Sequence, residues 1–114
     1  MKDLRFKRKY LMMAESGDKT LECRVSYPDL RSIKKGEIVK FFWEYISLIV
    51  EIVDIRRYQT FRDMLAKENV NKLVPGMTRD QALCEYESIY PDWKVRKFGG
   101  LIVFEFKIIR KERG

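Results

Sequence analysis

Gly17-Asp18-Lys19-Thr20-Leu21-Glu22-Cys23-Arg24-Val25-Ser26 is the stretch on which the reading of the whole chain turns. From Thr20 onward the side chains alternate. Leu21, Cys23 and Val25 fall on one face, and Thr20, Glu22, Arg24 and Ser26 on the other, the pattern of a half-buried β-strand. Before it, Arg8 to Ser16 reads as a short helix, and Gly17 supplies the left-handed residue that ends it. The polar face needs a reason. Glu22 stands between Lys19 in the turn and Arg24 on the strand. A carboxylate between two cations can hold a guanidinium in one orientation, ready for a phosphate or a base edge. The same trio also serves as an ion-pair network that fastens helix to strand and touches no ligand. Alternation puts Cys23 in the core, so its thiol is expected to label slowly in the native state.

Working outward, Leu4 to Lys7 reads as a short strand, and Tyr27 to Gly36 as a loop with Pro28 and a Lys34-Lys35-Gly36 turn. Glu37 to Trp43 and Leu48 to Ile55 are rich in β-branched and aromatic residues and read as strands. Thr60 caps a helix to about Glu68, with Phe61, Met64 and Leu65 as its buried face. Thr78-x-x-Gln81 is a capping box opening a helix to Tyr90, just before Pro91. Ala82, Tyr86 and Ile89 recur at helical spacing there and read as core. Gly99-Gly100 leads into a last strand with Ile102, Phe104, Phe106 and Ile108 on one face. Lys107 to Arg113 is basic enough to fray into solvent. No repeat, low-complexity tract or linker divides the chain, so residues 1–114 form one domain. Strands separated by helices without a βαβ rhythm predict an α+β fold: a small, mixed, partly closed β-barrel with flanking helices.

Composition narrows the chemistry. The 114 residues hold 24 Lys and Arg against 17 Asp and Glu, a formal net charge of +7, with no histidine and two cysteines. Without histidine there is no Ser-His-Asp or Cys-His nucleophile system and no HExxH zinc helix. Two cysteines cannot build a four-ligand zinc site or a disulfide scaffold, so no metal and no cofactor is expected. The most apolar stretch, Phe41 to Ile55, is broken by Glu44, Glu51 and Asp54, so it does not span a membrane. The first residues lack a signal-peptide core, and the chain reads as cytoplasmic with free thiols. Positive charge sits at the ends. Residues 1–40 carry 11 basic and 6 acidic side chains, residues 93–114 carry 7 and 2, and the middle carries 6 and 9. If the ends pack together, they make one basic face suited to a polyanion.

The pattern G-x-K-x-x-E-x-R after a short helix resembles the signature of the ASCH (activating-signal-cointegrator homology) domain, of the PUA-like superfamily. Four further segments follow in order: Lys34-Lys35-Gly36-Glu37; Arg57-Tyr58-Gln59-Thr60-Phe61; the helix ending Ile89-Tyr90-Pro91; and the strand from Gly100 to Ile109. The resemblance spans roughly Lys9 to Ile109. It implies a PUA-like barrel of five or six strands, with a cleft between barrel and helices beside Lys19, Glu22 and Arg24, and a function in binding RNA or nucleotides.

Three functions follow as expectations. In the first, an RNA- or nucleotide-binding module, Lys19 and Arg24 contact phosphate or a base edge and Glu22 orients Arg24. Tyr27, Tyr58 and Trp93 are the candidate aromatics for stacking on an unpaired base. In the second, the chain is an enzyme with Lys19 as base and Glu22 as proton shuttle. The resemblance implies either an amidohydrolase acting on N4-acylated cytidine or a metal-independent ribonuclease. The amidohydrolase branch, however, has threonine at the place of Glu22 and a carboxylate just before the methionine matching Met77. Here Leu73-Val74-Pro75-Gly76 holds no acid. In the third, the domain is a protein-interaction module in transcription or translation, docking a basic partner through Glu44, Glu51, Asp54 and Asp63. A homodimer through an exposed strand edge is compatible with each. Binding of RNA or a nucleotide is the preferred reading.

Overall fold

The computed structural model describes residues 1–114, and two long strands organise it. Strands β4 (Ile46–Tyr58) and β5 (Leu101–Arg113) each run thirteen residues and pair antiparallel over their length. Around them lie β1 (Lys2–Arg5), β2 (Leu21–Val25) and β3 (Ile38–Trp43), in the sheet order β1-β3-β4-β5-β2. Only β1 and β3 are parallel. The β3–β4 hairpin turns at Glu44-Tyr45, with Glu44 in the left-handed region (φ 49°). Six helices complete the fold: α1 (Arg8–Glu15), α2 (Pro28–Arg31), α3 (Phe61–Lys67), α4 (Val70–Leu73), α5 (Arg79–Ile89) and α6 (Asp92–Lys97).

Local chemistry sets most of these boundaries. Thr60 accepts a hydrogen bond from the Asp63 amide and starts α3. Thr78 and Gln81 form the reciprocal capping box of α5. Gly100, between α6 and β5, has φ +108°, and a Cβ there would lie 2.2 Å from the Tyr58 carbonyl oxygen. Only glycine permits that approach. The expected Tyr27–Gly36 loop contains the single turn α2, with Pro28 at its first position. Helices α4 and α6 were not anticipated, being too short to show a period. The strand expected over Leu48 to Ile55 extends at both ends. The basic tail does not fray, because β4 offers it partners as far as Ile46↔Arg113.

Bulges between Ile49 and Val50 and between Ile52 and Asp54 bend the β4–β5 ladder, and bending of this kind curls a sheet. Two apolar clusters result, one on each face. Leu4, Phe41, Leu48, Val50, Phe104 and Phe106 fill the concave side, which α1, α2 and the turn after α2 close with Leu11, Ala14, Leu30 and Ile33. On the convex side, Leu21, Cys23, Val25, Leu101 and Val103 meet Phe61, Met64, Leu73, Ala82 and Tyr86 from the helices. This two-sided burial explains why Leu101-Ile102-Val103-Phe104 is apolar without interruption.

The sheet is not closed into a barrel. Strands β1 and β2 are its two edges, and no backbone ladder joins them. The edges nevertheless approach each other, because the Arg24 guanidinium on β2 donates to the Arg5 carbonyl on β1 at 2.7 Å. A side chain bridges the seam where backbone pairing would have completed a barrel.

Candidate functional site

Glu22 and Arg24 pair with Phe104 and Ile102 on β5, so their side chains point to the concave face beside the open seam. Cys23 points the other way and is buried, as alternation requires. Lys19 precedes β2 and is 2% exposed. Its ammonium reaches the Leu21 carbonyl (2.5 Å), the Leu73 carbonyl (2.6 Å) and Glu22 Oε1 (2.9 Å). An ammonium has three N–H bonds, and each here meets an oxygen. Lys19 therefore ties β2 to the end of α4 and anchors Glu22.

The other Glu22 oxygen takes the Arg24 Nε at 2.5 Å. Burial alone would raise the Glu22 carboxyl, but Lys19 and Arg24 outweigh it and hold the group below the usual carboxylate range. Arg24 lies with its Cζ 4.8 Å from the centre of the Phe6 ring, a cation–π contact. Of the five guanidinium N–H bonds, one goes to Glu22 and one to Arg5. The rest find no acceptor in the chain.

Those uncommitted donors belong to the wall of a cavity of about 140 Å³ at the seam between β1, β2, α1 and α5. Phe6, Tyr10, Tyr86 and Tyr90 give it an aromatic lining, and Lys7 stands at its edge. Tyr10 donates to Glu85 Oε2 at 2.5 Å, and Lys9 meets the same oxygen at 3.2 Å, linking α1 to α5. Burial followed by the Glu85 hydrogen bond pushes the Tyr10 hydroxyl well up. Burial pushes the Tyr90 hydroxyl up to about 12 against the pull of Arg24. Both hydroxyls stay protonated near neutrality. The cavity is smaller than a drug-sized pocket of roughly 300–1,000 Å³. Its size and rings suit one planar heterocycle or a small anion.

The structure brings together Lys19, Glu22 and Arg24, and it places the three candidate aromatics elsewhere. Tyr27 packs edge-on against Phe98 at 4.8 Å. Tyr58 donates its hydroxyl to Glu68. Trp93 stands 58% exposed on α6. Sequence reading missed Tyr10 and Tyr90, which take the positions at the cleft beside Tyr86, core as its helical spacing implies, and Ile89, 37% exposed rather than core. Tyr86 is buried and stacks on Phe61 at 5.0 Å, so it is a core residue that borders the cleft, while Tyr90 follows the last residue of α5.

A second ionic cluster lies on the β4–β5 ladder. Arg56 forks onto both oxygens of Glu68, at 2.7 and 2.8 Å, and reaches Asp54 at 2.8 Å and Glu105 at 3.0 Å. Hydrogen bonding from Arg56 is the largest cause holding Glu68 below the usual carboxylate range. No group of three or more acidic or cysteine side chains is placed to hold a metal ion. No helix is long and apolar enough to cross a membrane.

A curled α+β sheet with a cleft at its unclosed seam describes the architecture in general terms, and comparison supplies the family. The ASCH domain family matches residues 4–110. This chain belongs to it. The crystal structure of hypothetical protein PH0355 is similar with a TM-score of 0.85 and 28% identity, covering 96% of this chain and all of that one. The solution NMR structure of protein PF0455 from Pyrococcus furiosus shares the fold, with a TM-score of 0.75, 24% identity, and coverage of 96% of this chain and 97% of that one. No curated protein matches the chain.

Proposed function

We propose that this ASCH domain protein binds RNA or a nucleotide, taking one unpaired base or its phosphate into the cleft at the sheet seam. One observation carries the reading. Arg24 is fixed by Glu22, Phe6 and the Arg5 carbonyl and still has N–H bonds to give beside a cavity lined with aromatic rings. A rigid guanidinium with spare donors is suited to a phosphate oxygen or the acceptors of a base. Tyr10 and Tyr90 border the cavity with aromatic rings, and Lys7 adds charge beside it. Lys19 acts in this reading as a positioning residue. The fixed +7 charge favours the same partner, and two unpaired thiols fit the reducing cytoplasm as its setting.

The geometry gives the enzyme reading little support, since each N–H of Lys19 is engaged and Leu73-Val74-Pro75-Gly76 brings no acid to the cleft. The deciding experiment titrates wild type and Arg24→Ala with nucleoside monophosphates and short single-stranded RNA at low salt, by calorimetry. Wild type is expected to bind, more weakly as salt rises, and Arg24→Ala to lose about tenfold or more in affinity. Equal binding by both proteins, or none by either, overturns the proposal. A parallel assay with N4-acyl cytidines is expected to show no turnover.

A further inference from the structure

A second surface begins where the cleft wall ends. Tyr90 lines the cleft; Pro91 follows it, and α6 follows directly. Val95 is the buried anchor of this short helix, and Trp93, Lys94, Arg96 and Lys97 lie around it. Trp93 is 58% exposed, and no aromatic ring of the chain stacks on it. An exposed indole flanked by cations presents a stacking face and positive charge side by side. Lys94 sits 5.7 Å from the Tyr27 ring centre, and Lys97 sits 5.5 Å from that of Phe98. Tyr27 and Phe98 touch each other, and Arg31 of α2 donates to the Phe98 carbonyl at 2.8 Å. The one acid on α6, Asp92, is taken by Arg96 at 2.7 Å. Lys94 and Lys97 have no carboxylate partner.

We infer that α6 is the tracking surface for a single-stranded nucleic acid whose neighbouring base occupies the cleft, with Trp93 stacking the next base and Lys94 and Lys97 facing the phosphates. The inference rests on the cleft reading and makes its ligand a strand rather than a free nucleotide. An exposed ring beside cations is what sequence-tolerant binding of single strands uses. The cleft by itself accommodates one ring, while Trp93 and Lys97 on α6 are exposed beside it. An acidic peptide would satisfy the two lysines alone, and the test separates it.

The experiment compares a nucleoside monophosphate, a single-stranded RNA hexamer of mixed sequence and polyglutamate. Affinity comes from anisotropy of the labelled hexamer and from competition by the other two. The hexamer is expected to bind at least about tenfold more tightly than the monophosphate. Trp93→Ala should weaken the hexamer at least about fivefold and leave the monophosphate unchanged. Lys94→Gln with Lys97→Gln should lower the salt slope of hexamer binding by about 1.4, as expected for two phosphate contacts on a single strand. Quenching of Trp93 by the hexamer in a Trp43→Phe background is an independent readout. Equal affinity for monophosphate and hexamer, an unchanged hexamer affinity in Trp93→Ala, or competition by polyglutamate as strong as by RNA overturns the inference while the cleft reading stands. Hexamer binding that is insensitive to Arg24→Ala but lost in Trp93→Ala overturns the cleft reading itself.

Discussion

The Lys19–Glu22–Arg24 and Arg56–Glu68 clusters use the same parts in different ways. Each sets a buried carboxylate against an arginine on a strand, and each holds that carboxylate below its usual range. At Arg56 three carboxylates meet one guanidinium, and Tyr58 completes the Glu68 shell. Four of the five guanidinium N–H bonds meet a carboxylate oxygen there. At Arg24 a single carboxylate is shared with Lys19, which leaves the guanidinium with donors to spare at the edge of a cavity. Ionic clusters of similar composition thus divide by their remaining hydrogen-bonding capacity and by the empty space beside them. Neighbouring side chains make the division, since Asp54 and Glu105 flank Arg56 on the β4–β5 ladder, whereas Arg24 faces the open seam.

The severest test of this contrast is Lys19→Ala. It leaves the Leu21 and Leu73 carbonyls without their donor and removes one of two cations from a buried Glu22. Breaking a buried pair from one side costs about 3–5 kcal/mol, so the thermal midpoint should fall by more than about 10 °C. A loss within about 1 kcal/mol, read by urea unfolding, would show that Lys19 is not the fastening it looks like in the structure.

Arg24→Ala and Arg56→Ala form the next pair. Ligand affinity should fall about tenfold or more in the first and stay unchanged in the second. Equal effects would erase the distinction between a site and a brace. Glu68→Gln separates them from the other side. It weakens the fork to Arg56 while Asp54 and Glu105 remain, so stability should drop by about 1–2 kcal/mol with no change in ligand affinity.

Acid should act on both clusters with one sign. A carboxyl whose pKa is lower in the folded state than in the unfolded chain stabilises the fold fully above the unfolded value, near 4.3 for glutamate. That contribution disappears as the pH falls through the lowered folded value. The stability advantage of wild type over Glu22→Gln should therefore be level above about pH 5 and shrink at more acid pH. An advantage that grows on acidification would contradict the direction of the Glu22 shift.

How much of this was legible beforehand follows from where the information lies. The β2 alternation, the Thr60 and Thr78 caps and the glycines beside α1 and β5 are local, and each is realised in the structure, although the polar face of the β2 stretch is buried as well, at Glu22 and Ser26. Lys19, Glu22 and Arg24 were legible as a cluster because they lie within one turn and one strand. Their division of labour was not. It depends on Leu73, fifty-four residues from Lys19, and on Arg5, nineteen residues from Arg24. The aromatic lining was hidden for the same reason: Tyr10 on α1 and Tyr90 after α5 become cleft walls only if the seam beside them stays open. The barrel expectation failed at that point, since no strand pattern states whether two edges pair through backbone or through one arginine.

Thiol chemistry offers the gentlest way to sharpen the comparison. Cys84 is exposed on α5, and Cys23 is buried on β2. Burial is the largest cause pushing the Cys23 thiol well up, reinforced by Glu22, so both access and thiolate fraction are low. Cys84 should react with a maleimide in the native state, and Cys23 only when β2 detaches from its surroundings. Strand β2 is an edge held by β5 on one side and by the Arg24 and Lys19 side chains on the other. The Cys23 rate therefore measures how firmly those two side chains hold the seam. Arg24→Ala should raise that rate, whereas Glu68→Gln should raise it only as far as global stability falls. Cys23 labelling that follows global unfolding alike in both variants would show that the seam opens only with the whole molecule, and that Arg24 adds nothing to its closure.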